Sequence, residues 1–551
     1  MPGGLLNIIS VGNNNAILTG NPSKTFFKVT YSKYTNFGLQ KFRIDYNGAR
    51  ELRLTEPSTF QFKIPRYADL LMDTYLVVSM PDIWSPLYHP TDQNSNRWTP
   101  YEFKWIKNLG TLMIQEIEIT CGSLILQKYT GEYLTAQVER DFSSEKKNLF
   151  NTMSGNTAEF NDPANYNSRA NTYPTAFYSP KSTGAEPSIR GRNIYVPINT
   201  WFTLSSKCAF PLAALQYNEL VITITIRPIQ ELFQVRDVFD FHYQYPYVQP
   251  DFNQPQFQMY RFLQTPPAVI LTGDNYQNKF SVWNADVHLL STYCFLSKEE
   301  TELFASQDQV YLVKDVFQYK FENVTGTRKL QVYSSGMVSN WMFYLQRNDA
   351  NLRNEWSNYT NWPYESIPSD LGIGSLASQY DAVGVIPYGP GIDPYDGRNT
   401  GIYLTGDYKV INQKEILNNM GILFNGEYRE NTLESGIYNY VEKYTRTSGN
   451  APFGLYCYNF CLNTDPFEYQ PSGAVNMSMF KTIELEINTY VPPIDQINSS
   501  FDVICDICGN PIGIRKSNWR LYEYNYNLTL FEERYNVLTI IGGNCGMLYC
   551  R

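Results

Sequence analysis

The chain has 551 residues, 43% of them hydrophobic and 18% charged, with a net charge of −9. That length exceeds one ordinary hydrophobic core and points to two or three domains. The acidic balance argues against a nucleic-acid-binding surface, which needs a basic stripe to displace counterions. No apolar run approaches the ~18–20 residues that span a bilayer.

Aromatic residues make up 15% of the chain, led by 44 Tyr and 32 Phe, which suits strands and broad contact surfaces. The N-terminus has neither the charged nor the apolar region of a secretory signal. Pro2 occupies the position where myristoylation needs glycine. Synthesis and folding in the cytosol are expected. Nine scattered cysteines are expected to be mostly reduced thiols there.

Residues 1–25 are small, polar and rich in Gly and Asn, so they bury too little apolar area to offset their ordering entropy. They read as an arm that orders against a partner. Short strand-like runs then recur. Residues 59–64 and 115–120 alternate polar and apolar, as half-buried strands do, and 75–80 form a continuous apolar run. Residues 218–228 contain the β-branched alternation Val221-Ile222-Thr223-Ile224-Thr225-Ile226, closed by Pro228. From 141 to 192 the pattern dissolves into an elaborated polar loop.

A second series starts with candidate strands at 280–293 and 309–321. Between them, Ser297 and Glu300 form a capping-box signal for a helix over 298–305. Further candidates are 329–338, 341–346, 401–411, 454–463, 479–491 and 535–541, with a Tyr/Pro/Gly/Asp-rich insertion at 348–400. Pro471-Ser472-Gly473 makes a rigid corner between two of these runs. Alternating strand–helix units are missing, so antiparallel sandwiches or barrels remain. Periodicity leaves immunoglobulin-like and jelly-roll topologies both open.

Five segments in chain order carry a resemblance. They are 17–28, with Gly20, Asn21, Pro22, Phe26 and Phe27; 34–37, with Tyr34 and Phe37; 210–219; 468–478, with Gln470, Pro471, Ser472, Gly473 and Asn476; and 536–549. Together with Gly3-Gly4-Leu5 they resemble the major capsid proteins of large icosahedral nucleocytoplasmic DNA viruses. The resemblance implies an all-β double jelly roll: two eight-stranded antiparallel barrels with long loops, at about 26–234 and 235–551, behind the 1–25 arm. Within it, 210–219 is similar to the last strand of the first barrel. The resemblance also implies a homotrimeric, pseudo-hexagonal capsomer that tiles a virion shell. Its implied partners are further trimers, minor capsid and penton proteins and, through the arm, an internal viral membrane. The implied protein is structural rather than enzymatic and binds no nucleic acid directly.

The candidate chemistry is thin. His89, His242 and His288 stand apart from one another and from any cysteine. Cys505 and Cys508 have zinc-knuckle spacing, which Cys545 and Cys550 are placed to complete, but the second pair has the wrong spacing and unlinked thiols are the expectation. Glu116/Glu118 and Glu484/Glu486 have the i, i+2 spacing of a carboxylate pair, and equally that of a solvated strand face. Sequons at Asn323, Asn358, Asn476, Asn498 and Asn527 carry little weight without a secretory route. No catalytic group, cofactor or firm metal site is expected. The alternative is a carbohydrate- or receptor-binding β-sandwich, since jelly rolls also host lectins.

Overall fold

A computed structural model describes residues 2–46, 48, 51–88, 99–170, 172–176, 186–238, 246–266, 276, 278–279, 283–365, 390–392, 399–403, 414–492, 501–505, 511–516 and 523–549. Sixteen strands carry the architecture. The first eight are β1 Gly38–Ile44, β2 Ser58–Lys63, β3 Leu70–Ser79, β4 Ile114–Cys121, β5 Leu124–Tyr129, β6 Asn193–Pro197, β7 Leu220–Ile226 and β8 Val287–Phe295. The second eight are β9 Gln309–Phe321, β10 Thr327–Gln331, β11 Met337–Arg347, β12 Leu417–Phe424, β13 Glu427–Glu434, β14 Leu455–Asn459, β15 Ile483–Thr489 and β16 Tyr526–Ile541.

Pairing defines the topology. In the first set β1 pairs with β8, β2 with β7, β3 with β6 and β4 with β5, all antiparallel. This is one long hairpin folded over on itself. It yields the sheets β1-β8-β3-β6 and β2-β7-β4-β5. The second set repeats the scheme as β9-β16-β11-β14 and β10-β15-β12-β13. Each set is a jelly roll, and the chain is a double jelly roll.

The strand patterns explain the layers. Along β7, Leu220, Ile222, Ile224 and Ile226 are buried while the intervening residues are half exposed. The inward row meets Phe60 and Phe62 of β2 and Ile117 and Ile119 of β4. Strand β16 differs because it is covered on both faces. Leu528 and Leu530 enter the core of the second jelly roll, whereas Phe531, one residue on, joins the cluster shared with the first. Alternate side chains point to opposite faces, so one strand serves both cores.

Several expectations change. The boundary at 234/235 coincides with no break between sheets. β8, at Val287–Phe295, lies hydrogen-bonded between β1 and β3, so the first jelly roll closes only there. The segment 210–219 is therefore not its last strand. Phe210–Pro211 is a two-residue bridge to β3 followed by a 3-10 turn. The 141–192 segment is not simply a loop: α1 Gly131–Asp141 runs into it, and α2 Ser144–Met153 and a short turn at Ala158–Asn161 follow. The side chains of Thr130 and Ser143 cap α1 and α2. The expected later helix is present as α3 Lys298–Ser306, but the Ser297 side chain makes no capping bond. The run 329–338 straddles β10 and β11 across a turn at Gly336 (φ +75°). β16 starts at Tyr526, well before 535. Residues 404–411 of the expected 401–411 strand lie outside the described residues, as do 366–389 and 393–398 of the 348–400 insertion.

Ile222→Ala, at a fully buried β7 position, is expected to cost about 2–5 kcal/mol. Thr223→Ala, on the opposite face, should stay within about 0.5 kcal/mol. Denaturant unfolding monitored by tryptophan fluorescence checks the contrast.

Candidate assembly joint and surfaces

The two jelly rolls meet along α1, β5, β9 and β16. Gly131 starts α1 because the helix end presses on the backbone entering β4; a Cβ there would lie 1.9 Å from the Thr111 carbonyl oxygen. The helix then carries Tyr133 and Arg140 into the joint. Tyr133 packs edge-on against Phe531 at 5.7 Å between ring centroids, and Trp201 lies 5.6 Å from Tyr311.

At the centre of the joint is a fully buried charge cluster. Arg140 donates from Nη2 to Glu533 Oε1 at 2.8 Å, from Nη1 to Asn340 Oδ1 at 2.6 Å, and from Nε and Nη2 to both oxygens of Asp141 at 2.9 and 2.6 Å. Glu533 also accepts from Tyr133 Oη at 2.9 Å and Asn340 Nδ2 at 2.8 Å. Thr464 Oγ1 donates to Asp141 at 2.6 Å. Burial alone would push the Glu533 carboxyl up; the charges of Arg140 and Lys314 hold it down at about 2. Arg140 and Asp141 come from the first half of the chain, and Glu533, Asn340 and Thr464 from the second. Such a cluster fixes position more than it adds stability, because desolvation offsets much of the attraction until one partner is removed.

A second polar clasp lies beyond the end of β11. Asp349 is fully buried between Arg347 and Arg353, with contacts of 2.6 and 2.9 Å. Burial opposes its ionisation, yet the two guanidinium groups hold its carboxyl well below the usual carboxylate range. This anchors the turn that reaches the first jelly roll. There Asn354 Nδ2 donates to the carbonyls of Gln230 and Phe233 at 2.7 and 2.8 Å, and Trp356 Nε1 donates to that of Glu231 at 3.0 Å.

The sequence-selected residues fall into two separate places. Gly20, Asn21, Pro22, Phe26, Phe27, Tyr34 and Phe37 belong to an arm in which every described residue from 2 to 37 is exposed. Phe27 is 97% exposed, against 0% for Phe62 in the core. The arm is partly helical, at Gly3–Ile9 and Ala16–Thr19, and Leu5, Leu6, Ile8, Ile9, Ile17 and Leu18 stand in solvent.

The corner at 470–476 is pinned to the body. Ser472 Oγ accepts from Asn463 N at 3.1 Å and donates to its carbonyl at 2.7 Å, and Gly473 takes φ +129°. Val475–Asn476 pairs with Met337–Val338 at the start of β11, and the Asn476 side chain caps the turn that follows. The corner ties the return from β14 to the second core.

The remaining candidates have structural surroundings. Lys128 bridges Glu116 and Glu118 at 2.6 and 3.4 Å. Glu486 meets Lys329 at 3.6 Å and accepts from Tyr428 Oη at 2.9 Å. Burial, helped by Arg43, pushes the His288 imidazole below its ordinary value. His89, His242, Cys508 and Cys550 lie outside the described residues, and Cys545 sits beside Cys121. Among the described residues no three His, Cys, Asp or Glu gather as a metal site. The sequon residue Asn358 is 3% exposed and its amide is committed to Thr360 and Trp362.

Comparison with known proteins gives this geometry its context. Residues 25–263 match the family described as "Major capsid protein N-terminus", and 300–546 match "Large eukaryotic DNA virus major capsid protein". The chain belongs to the major capsid proteins of large eukaryotic DNA viruses. It is similar to the major capsid protein of Phaeocystis pouchetii virus, with 23% identity over the full length of both chains. It shares its fold with a chain of the PBCV-1 virus capsid, at TM-score 0.58 and 17% identity, covering 96% of this chain and 100% of that one. The Faustovirus major capsid protein gives TM-score 0.56 at 12% identity, covering 93% and 92%. This capsid protein is thus a structural component of the virion shell. Sequence inspection missed its Arg140–Glu533 joint. The available signal was Glu532-Glu533-Arg534 set inside an apolar run, which no half-buried strand requires.

Asp349→Asn should destabilise the protein by about 3–5 kcal/mol, because it removes the carboxylate between two buried guanidinium groups. Glu533→Gln should cost less, about 1–3 kcal/mol, because Arg140 keeps its pairing with Asp141. The Asp349 carboxyl is lower in the folded than in the unfolded state, so its contribution is complete above roughly pH 5, fades as pH falls, and is gone only below the depressed folded-state value. The gap in melting temperature between wild type and Asp349→Asn should therefore stay constant from pH 7 to about pH 5 and narrow without closing by about pH 3.

Proposed function

We propose that three copies of the capsid protein form a capsomer whose six jelly rolls make a near-hexagonal column, and that such trimers tile the shell. The observation that carries this is the repeated topology: two sandwiches of the same strand order are clamped side by side by a buried charge cluster and a shared core. A rigid pair with internal pseudo-symmetry supplies six near-equivalent units from a threefold operator alone. In this reading the first unit runs to about 296 and the second begins near 309, with α3 between them.

The outer surface supports contact between copies. Tyr440, Val441 and Tyr444 stand exposed on one helical segment, and Leu462 and Met479 lie exposed elsewhere on the second jelly roll. Aromatic groups of this kind anchor stable interfaces, which start near ~1,200–2,000 Å² of buried area. The arm supplies a second contact. Its unburied Leu, Ile and Phe side chains suit ordering beneath the barrels, against a neighbouring subunit, minor capsid or penton proteins, or the face of an internal membrane. Synthesis in the host cytoplasm completes the proposal.

Sedimentation of the purified protein should give a species three times the 63.7 kDa chain, which associates further; a persistent monomer would overturn the trimer. Deleting residues 2–24 should leave the trimer intact and stop closed shells forming, as seen by negative-stain imaging. Normal shells from the truncated chain would remove the arm from assembly.

A further inference from the structure

Two thiols from opposite ends of the chain face each other across the joint. Cys121 ends β4 in the first jelly roll and is 2% exposed. Cys545 lies on the short strand Asn544–Met547, which folds back on β16 and pairs it with Ile540. Both are free thiols, and Cys545 packs against the core cluster that contains Cys121, so that each side chain lies in the other's surroundings.

The approach is built by the surrounding backbone. The turn before Cys545 sits directly on the first jelly roll: the amides of Gln216 and Tyr217 both donate to the Gly543 carbonyl, at 3.3 and 3.4 Å. Gly543 takes φ +82°, and a Cβ there would come within 2.9 Å of Gln216 Cβ. Asn218 Nδ2 reaches Asn544 Oδ1 at 3.5 Å, and Cys545 and Met547 pack on the shared core. The turn therefore needs glycine at this point and holds the strand bearing Cys545 against the first jelly roll.

We propose that Cys121 and Cys545 form a redox clip, open in the reducing cytoplasm and closed to a disulfide once the particle meets an oxidising medium. A low-molecular-weight disulfide such as oxidised glutathione serves as oxidant. Cys545, the more exposed thiol, loses its proton and attacks one sulfur of the reagent, breaking its S–S bond and releasing one reduced thiol. Cys121, deprotonated in turn, attacks the Cys545 sulfur and expels the second thiol. Two protein thiols become one disulfide, and one external disulfide becomes two thiols. Two thiols packed on one core cluster close the link by side-chain rotation to the ~2.05 Å bond length. The link closes a loop spanning most of the chain, so it restricts the unfolded state strongly.

The test uses the full-length protein, purified reduced, incubated with oxidised glutathione, then denatured and alkylated. Peptide mass mapping should find a cross-linked pair containing residues 121 and 545. The oxidised protein should melt about 2–4 °C above the reduced form. Cys545→Ser, at the half-buried position, should abolish both the cross-link and the increment while matching reduced wild type; Cys121→Ser should also abolish the cross-link. The proposal is overturned if both thiols remain alkylatable, if Cys545 keeps glutathione unresolved or pairs with Cys550, or if the cross-link forms without raising the melting temperature.

Discussion

The capsid protein depends on how its two jelly rolls are joined. Arg140, fully buried, is held by Asp141 beside it and by Glu533 and Asn340 from the other half of the chain. A hydrophobic face alone would let the rolls slide, because apolar contact has no preferred register. A buried guanidinium with directed acceptors on both sides permits one arrangement and makes the alternatives costly. The Asp349 clasp repeats the device where the turn after β11 meets residues 230–234. The relative orientation of the two rolls is thereby fixed at these two points.

The joint also explains the length of β16, the longest strand among the described residues. It runs through Tyr526–Ile541, pairs with β9 on one side and β11 on the other, and supplies both cores. Glu532 turns toward the inner core of the second jelly roll, where it accepts from Trp341 Nε1 at 2.7 Å, while Glu533 turns toward the first. Adjacent carboxylates thus serve different partners through the simple alternation of a strand. The arm is the opposite case, with apolar residues that touch nothing in their own subunit's cores.

Much of the fold was legible in the sequence, for reasons visible at particular residues. The alternation at 220–226 and the boundaries of 309–321 emerge directly, because a sandwich strand with one wet face writes its burial into a period of two. The corner at Pro471-Ser472-Gly473 was equally readable, since its backbone demands restrict the residues allowed. What stayed hidden was tertiary. The strand Val287–Phe295 returns to the first jelly roll after a long excursion, and nothing local marks its partner. Helix α1 stayed hidden because it is buried almost all round, against its own roll and the other, so no wet face marks its period. Arg140 and Glu533 read as surface charges until the fold encloses them.

The most direct measurement is a single-particle reconstruction of the purified capsomer at a resolution that separates strands. The account predicts six sandwiches around a threefold axis, alternating between two kinds, with each covalent pair in one fixed orientation and continuous density across Arg140 and Glu533. Particles whose second sandwich takes a range of orientations relative to the first, or a ring with any other number of sandwiches, would contradict it.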